Sequence, residues 1–289
     1  MSRVLLREEL LAQLGSRRAL DAAVRAGAWR RVLHGAYVPA AEADRLEVRA
    51  QAARRVLPDR CWVADRSLLW LLGVDVLPAA HRELEVVVER GAVVPRREGV
   101  RAREALVPRS DQHVLQPWGV RSLRPVRAAA DLLRLLPPTE AVVVADAVQH
   151  PGLATREQLA AELAAHRGLR GVRLAHEALR RSDGLAESPQ ETRLRLLLVD
   201  AGLQPVTQLV VDLGGGVVAR LDLALPEARL ALEYDGRAVH GRDEAFLADR
   251  RRQNALVAAG WTVLRVTAED LRRPQALLAQ VRAVLARAA

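Results

Sequence analysis

The sequence contains no lysine, and all 44 of its basic residues are arginine. That excludes any site in which a lysine supplies the positive charge. It also makes the high isoelectric point a weak guide to function, because a uniform arginine bias raises it throughout. Cysteine occurs once, at Cys61. A single thiol excludes an intramolecular disulfide and any thiolate-rich metal centre, and Cys61 reads as a buried structural residue. No apolar run approaches the roughly 20 residues that cross a bilayer. The amino terminus, MSRVLLREELLAQ, has Arg and Glu where a secretory leader would be apolar. The expectation is a cytoplasmic protein with no membrane partner. Histidine is sparse, and His81, His113, His150, His166 and His176 show no ligand spacing.

What is present is length and apolar content. With 289 residues, half of them hydrophobic, the chain has material for two or three cores. Its formal charge is +9, unevenly placed. Residues 1–185 carry 30 Arg against 22 acids, whereas residues 186–289 carry 14 against 13. The basic excess is amino-terminal and suits phosphate binding, although a solvated charged face explains it equally well.

In residues 2–13 the apolar positions Val4, Leu5, Leu10, Leu11 and Leu14 recur at helical spacing, and Gly15 supplies a stop. Ser16 is a suitable N-cap for a second helix, RRALDAAVRAG, ending at Gly27. AWRRVLHGAYVPA then reads as a hairpin around His34 and Gly35. Helix, helix, hairpin is the order of a winged helix. It would place Arg17, Arg18 and Arg25 on the second helix and Arg30 and Arg31 on the wing, where base and phosphate contacts to DNA are made. A small protein-contact domain is the alternative. The SRRALDAAVRAGAWRRVLHGAYVP pattern resembles the amino-terminal winged-helix domain of AbiEi-type antitoxins.

The middle of the chain says least. RLEVRAQAARRVL and DRSLLWLLG predict helices, ELEVVVE a strand, and VRSLRPVRAAADLLRLL a strand followed by a helix entered at Pro125. AVVVADAVQ, TREQLAAELAAH with Thr155 as N-cap, and RGVRLAHEALRRS predict three more helices. Trp62 and Trp70 stand among leucines and read as core. The region is similar to the spacer that follows the winged helix in the same group of bacterial proteins.

The carboxy-terminal part carries the chemistry. Ser188, Pro189 and Glu191 form a helix-start signal before TRLRLLLVDAG. Strands QLVVDL, VVARLDLAL and ARLALEYDG follow, then a charged helix, the strand WTVLRVT and a final helix. Period-two alternation puts Leu221, Leu223 and Leu225 on one face and Asp222 on the other. In the next strand Leu230 and Leu232 oppose Ala231, Glu233 and Asp235. Three carboxylates on one side of a hairpin repel unless a cation lies between them, and a magnesium-type site with oxygen ligands is the simplest answer.

The ordered pieces ESPQETRLR, RLDLALP, EYDG with His240, DRRRQNALVAAGW and GWTVLRVT resemble the very-short-patch-repair (Vsr-like) branch of the PD-(D/E)XK restriction-endonuclease-like superfamily. They resemble more closely a domain of unknown function grouped with that branch. The resemblance covers about 100 residues and implies Asp222 as the metal-binding aspartate. It implies Glu233 as the acid of the third strand, Tyr234 as a position whose carbonyl completes coordination, and Glu191 as the helical acid that orients a metal-bound water. Asp235 stands where the motif has lysine, so it is a metal ligand or a turn former before Gly236. The resemblance also implies His240 as the proton carrier, a general base or a proton donor to the leaving group, and makes Arg250 and Arg251 candidates for phosphate contact or for stabilising charge in the transition state.

The expected fold class is therefore α/β: a restriction-endonuclease-like αβββαβ core with a mixed sheet at residues 186–289, a winged helix at 1–42 and a mixed, mainly α middle region at 43–185. The expected function is a metal-dependent DNA endonuclease of bacterial defence or DNA repair, using Mg²⁺ or Mn²⁺. The alternative is a non-catalytic, antitoxin-like transcriptional regulator that binds DNA and carries a degenerate nuclease-like domain. DNA and a toxin or defence protein are the expected partners.

Overall fold

A computed structural model describes residues 4–33, 35–43, 45–74, 76, 83–92, 100–214, 218–235 and 243–288, with only the backbone described at 46, 47, 49, 243–249 and 288. The protein is mixed α/β. Its chain divides into two compact units, Met1–Leu136 with Leu153–Leu179, and Pro137–Gly152 with Arg180–Ala289.

The first unit begins with a short strand β1 (Leu5–Leu6), where helical spacing predicts helix from residue 2. Leu5 is buried and pairs with Tyr37, so sheet pairing overrides the local pattern. Helix α1 (Arg7–Leu14) ends at Gly15, whose φ of +81° suits a residue without a Cβ. Helix α2 (Arg17–Arg25) starts on Ser16, whose hydroxyl accepts from the Ala19 N–H at 3.1 Å. Strands β2 (Trp29–Leu33) and β3 (Ala36–Pro39) complete an antiparallel sheet of order β1-β3-β2. Leu33, Ala36 and Val38 share one apolar core with Val48, Ala53 and Val63. The expected boundary after residue 42 therefore falls inside the first unit.

Helix α3 (Leu46–Val56), strand β4 (Cys61–Val63), helix α4 (Asp65–Leu71) and strands β5 (Leu84–Glu89), β6 (Val100–Ala105), β7 (Gln112–Leu115) and β8 (Val120–Leu123) follow. The five strands form one mixed sheet of order β6-β5-β4-β8-β7. The middle region thus has more strand than its sequence suggests. Cys61 and Trp62 are buried, as expected.

Helix α5 (Pro125–Leu135) carries a buried ionic network. Asp131, fully buried, accepts from Arg103 at 2.9 Å, Arg127 at 3.0 Å and Arg134 at 2.7 Å. Burial would raise its carboxyl, and the surrounding guanidinium groups hold it below the usual value instead. After α6 (Pro138–Gln149), helices α7 (Arg156–Ala165) and α8 (Val172–Arg181) follow. Gly171 is required where it stands, since a Cβ there would meet the Arg134 carbonyl at 2.1 Å.

Helix α6 belongs to the second unit because of Asp146. Its buried carboxylate accepts from the Asp183 and Gly184 N–H groups at 2.8 and 3.1 Å, from Thr192 Oγ1 at 2.9 Å and from Arg195 at 2.7 Å. Thr192 and Arg195 lie on α9 (Pro189–Asp200), so one carboxylate ties α6 to α9. The expected boundary at 185/186 leaves α6 outside this unit; the Thr192 to Asp146 bond that helps recruit it spans 46 residues and has no local signature.

Strands β9 (Val206–Asp212), β10 (Val218–Leu225) and β11 (Leu230–Tyr234), helix α10 (Asp243–Ala258), strand β12 (Thr262–Val266) and helices α11 (Ala268–Arg272) and α12 (Pro274–Ala288) complete the chain. The sheet order is β12-β11-β10-β9, with β11 and β12 parallel and the others antiparallel. Leu223, Leu225, Leu230 and Leu232 pack with Leu194 and Leu198 of α9 and with Leu277 and Val281 of α12. Ala224, Ala231 and Val263 pack with Leu256 of α10. The α, β, β, β, α, β order and the mixed sheet are those expected. Among the described residues no helix is long and apolar enough to cross a membrane.

Candidate active site

Strand alternation and register build the site. Leu223 pairs with Leu232 and Ala224 with Ala231, and Asp222 and Glu233 are the next residues along the two strands. Leu221 packs with Ala224 and Ala231 rather than with Leu223 and Leu225, so the alternation expected from the sequence breaks at Asp222. Asp222 is half-buried, and its Oδ2 accepts from the Tyr234 N–H at 2.9 Å. Glu233 is buried.

The third carboxylate comes from α9. Ser188 caps this helix by accepting from the Glu191 N–H at 3.2 Å. The Glu191 carboxylate is 7% exposed and accepts from the Glu187 N–H at 2.9 Å and from Gln208 Nε2 at 3.0 Å. Gln208 lies on β9 between Thr207 and Leu209, which pair with Leu223 and Leu221, so it stands opposite Asp222. Its φ of +53° is costly for a residue with a Cβ, and its Oε1 is buried without a hydrogen-bond partner. A strained glutamine that donates to the helical acid from the strand beside Asp222 is a feature no sequence pattern reveals.

The electrostatics follow from this crowding. Burial is the main reason that the Asp222 carboxyl rises from 3.8 to about 6. The Tyr234 N–H pulls against it, the Glu191 and Glu233 charges add to it, and Arg252 opposes it. An acid poised near neutrality among other acids marks a functional-site candidate.

Arg252 of α10 holds Glu233 with both arms: Nη1 to Oε1 at 2.8 Å and Nη2 to Oε2 at 2.9 Å. It also donates to the Arg220 carbonyl at 3.3 Å. The arginine brought to the site is therefore Arg252. Arg250 and Arg251, singled out from the sequence, are exposed on the same helix, and Arg250 lies about 200° around from Arg252. Asp235 is half-exposed, 3.8 Å from Arg265, and its N–H bonds to the Val266 carbonyl at 2.8 Å. Arg220 pairs with Glu187 at 2.6 Å. His240 lies outside the described residues. In the first unit Arg17, Arg18 and Arg25 are exposed on α2, and Arg30 and Arg31 are exposed on β2.

A divalent cation is what the resemblance implies here. Among the described residues no three His, Cys, Asp or Glu side chains come together as a ready ligand set. The donor set still fits a cation in chemistry. Asp222 Oδ1 and Glu191 Oε1 accept no hydrogen bond among the described residues, and both are hard oxygen donors.

Fold and site thus define a mixed α/β protein whose second unit brings the charges of Glu191 and Glu233 close enough to Asp222 to help raise its carboxyl. No family model matches the chain. Two uncharacterized proteins of Mycobacterium tuberculosis, MT2308 of strain CDC 1551 and Rv2248 of strain H37Rv, are each 34% identical to it over 156 residues, or 54% of this chain. The chain spans 58% of the length of these curated relatives. The crystal structure of the RV2827C protein from the same organism aligns over 72% of this chain and 83% of its own, with 19% identity and a TM-score of 0.38.

Proposed function

We propose that the second unit is a metal-dependent phosphodiesterase that cleaves DNA, with the amino-terminal helix-and-hairpin segment supplying duplex binding. The observation that carries this reading is the Asp222 carboxyl, raised to about 6 beside Glu191 and Glu233 on an αβββαβ sheet. A divalent cation at such a site activates a water at neutral pH and neutralises phosphate charge. Asp222 and Glu191 would hold the ion. Gln208 and the Glu187 N–H orient the Glu191 carboxylate, and the Tyr234 N–H orients that of Asp222. His240 is the proposed proton carrier.

The second reading is a DNA-binding regulator whose nuclease-like domain is degenerate. The bidentate hold of Arg252 on Glu233 favours it, since one expected ligand is already engaged. Incubating the full chain with supercoiled plasmid and Mg²⁺ or Mn²⁺, beside Asp222→Ala, separates the two. Cleavage by the wild type that disappears in the variant is expected. Cleavage that persists in Asp222→Ala, or none by the wild type on several DNA substrates, rejects the catalytic reading.

A further inference from the structure

We infer that Arg252 is a positioning residue that withholds Glu233 from the cation, so that Asp222 and Glu191 bind it while Glu233 serves as the anchor of α10. The inference rests on the proposed cation-dependent reading and concerns how that site is filled. Both Glu233 oxygens are engaged by one guanidinium in a parallel two-bond arrangement, and Glu233 is 9% exposed. Releasing Arg252 would leave a buried carboxylate unpaired, which strongly disfavours release. A guanidinium keeps its charge at every working pH, so no change of pH opens this hold.

Two more contacts place the hold at the ligand face. Arg252 also donates to the carbonyl of Arg220, two residues before Asp222 on β10, and Asp222 accepts from the N–H of Tyr234, the residue after Glu233. A dication approaching Glu233 therefore meets a fixed positive charge that lies against the same strands. Among the described residues, Asp222 Oδ1 and Glu191 Oε1 carry no such counter-charge in hydrogen-bond contact. The cation is steered to them. In a chain without lysine, Arg252 is a fixed cation of the site, and it acts by occupying an acid.

Mn²⁺ binding to the full chain, read as loss of the free-ion electron paramagnetic resonance signal, tests the inference without relying on cleavage. Arg252→Gln removes the counter-charge and adds a free carboxylate to the site, and should tighten Mn²⁺ binding roughly 10-fold or more, since affinity for such cations rises with the charge of the ligand set. Adding Glu233→Gln to it should return the affinity to the wild-type value, because the gain comes from Glu233. Arg252→Gln binding no tighter than wild type, or a gain that survives Glu233→Gln, overturns the inference. If Asp222→Asn still abolishes binding in that case, the cation-dependent reading stands and only the role of Arg252 falls. If neither the wild type nor any variant binds Mn²⁺, both fall together. Should Arg252→Gln lose its cooperative melting transition, Arg252→Lys carries the test: it keeps the charge on a single donor group, and binding should tighten several-fold, with unchanged binding counting against the hold.

Discussion

Replacing Asp222 by Asn should make the protein more stable above neutral pH, although it removes the residue on which the proposed chemistry depends. The carboxyl rises from 3.8 to about 6 on folding, so between those values the folded chain binds more protons at this position than the unfolded chain does. Stability contributed by the protonated acid is complete below the unfolded value and is lost as pH climbs through the folded one. Each pH unit of that interval is worth about 1.4 kcal/mol, or about 3 kcal/mol in all. Because solvent reaches the half-buried carboxyl, about 1–2 kcal/mol is the figure to expect. Asn keeps an oxygen to accept the Tyr234 N–H and carries no charge. Thermal melts of wild type and Asp222→Asn at roughly pH 8 and pH 4 make the comparison. At the higher pH the variant should melt later, by about 2–4 °C for each kcal/mol. At the lower pH the difference should vanish. A variant that is less stable at both values, or whose advantage does not depend on pH, would show that Asp222 is not held against its charge. Stability gained by removing a site residue is the usual sign of a site kept strained for function.

Two further outcomes test the first unit. Asp131→Ala leaves the guanidinium groups of Arg103, Arg127 and Arg134 without their buried partner and should cost about 3–5 kcal/mol in denaturant unfolding. Asp59→Ala, which breaks an ion pair whose carboxylate side chain is 92% exposed, should cost no more than about 1 kcal/mol, and equal losses would refute the ranking by burial. Arg17→Ala with Arg18→Ala, at exposed positions of α2, should leave the melting curve unchanged and weaken duplex DNA binding. The slope of log affinity against log salt should flatten by about 0.9 for each phosphate that the protein no longer neutralises, and an unchanged slope removes these residues from the proposed interface.

The sequence by itself determined the local geometry of this protein. Leu223, Leu225, Leu230 and Leu232 share one face, as a period of two predicts, but Leu221 packs with Ala224 and Ala231 on the other, so the expected alternation breaks at Asp222, opposite the positive φ of Gln208, which no local pattern reveals. Ser188 before Pro189, Ser16 before α2 and Gly15 after α1 mark helix ends through bonds spanning a few residues, so they too were legible. Tertiary structure decided the rest. Strand β6, with the sequence VRAREA, has little strand character of its own and exists because its backbone pairs with β5. Leu5 and Leu6 fit a helix pattern and yet form a strand, for the same reason. Helix α6 joins the second unit through Asp146, a carboxylate that reaches partners up to 49 residues away. At the site, Arg250, Arg251 and Arg252 are adjacent and chemically identical, and only the packing of α10 against β11 selects Arg252 to hold Glu233. Gln208 was invisible for a like reason: its strained backbone and its bond to Glu191 arise where α9 meets β9, and no local period encodes that meeting.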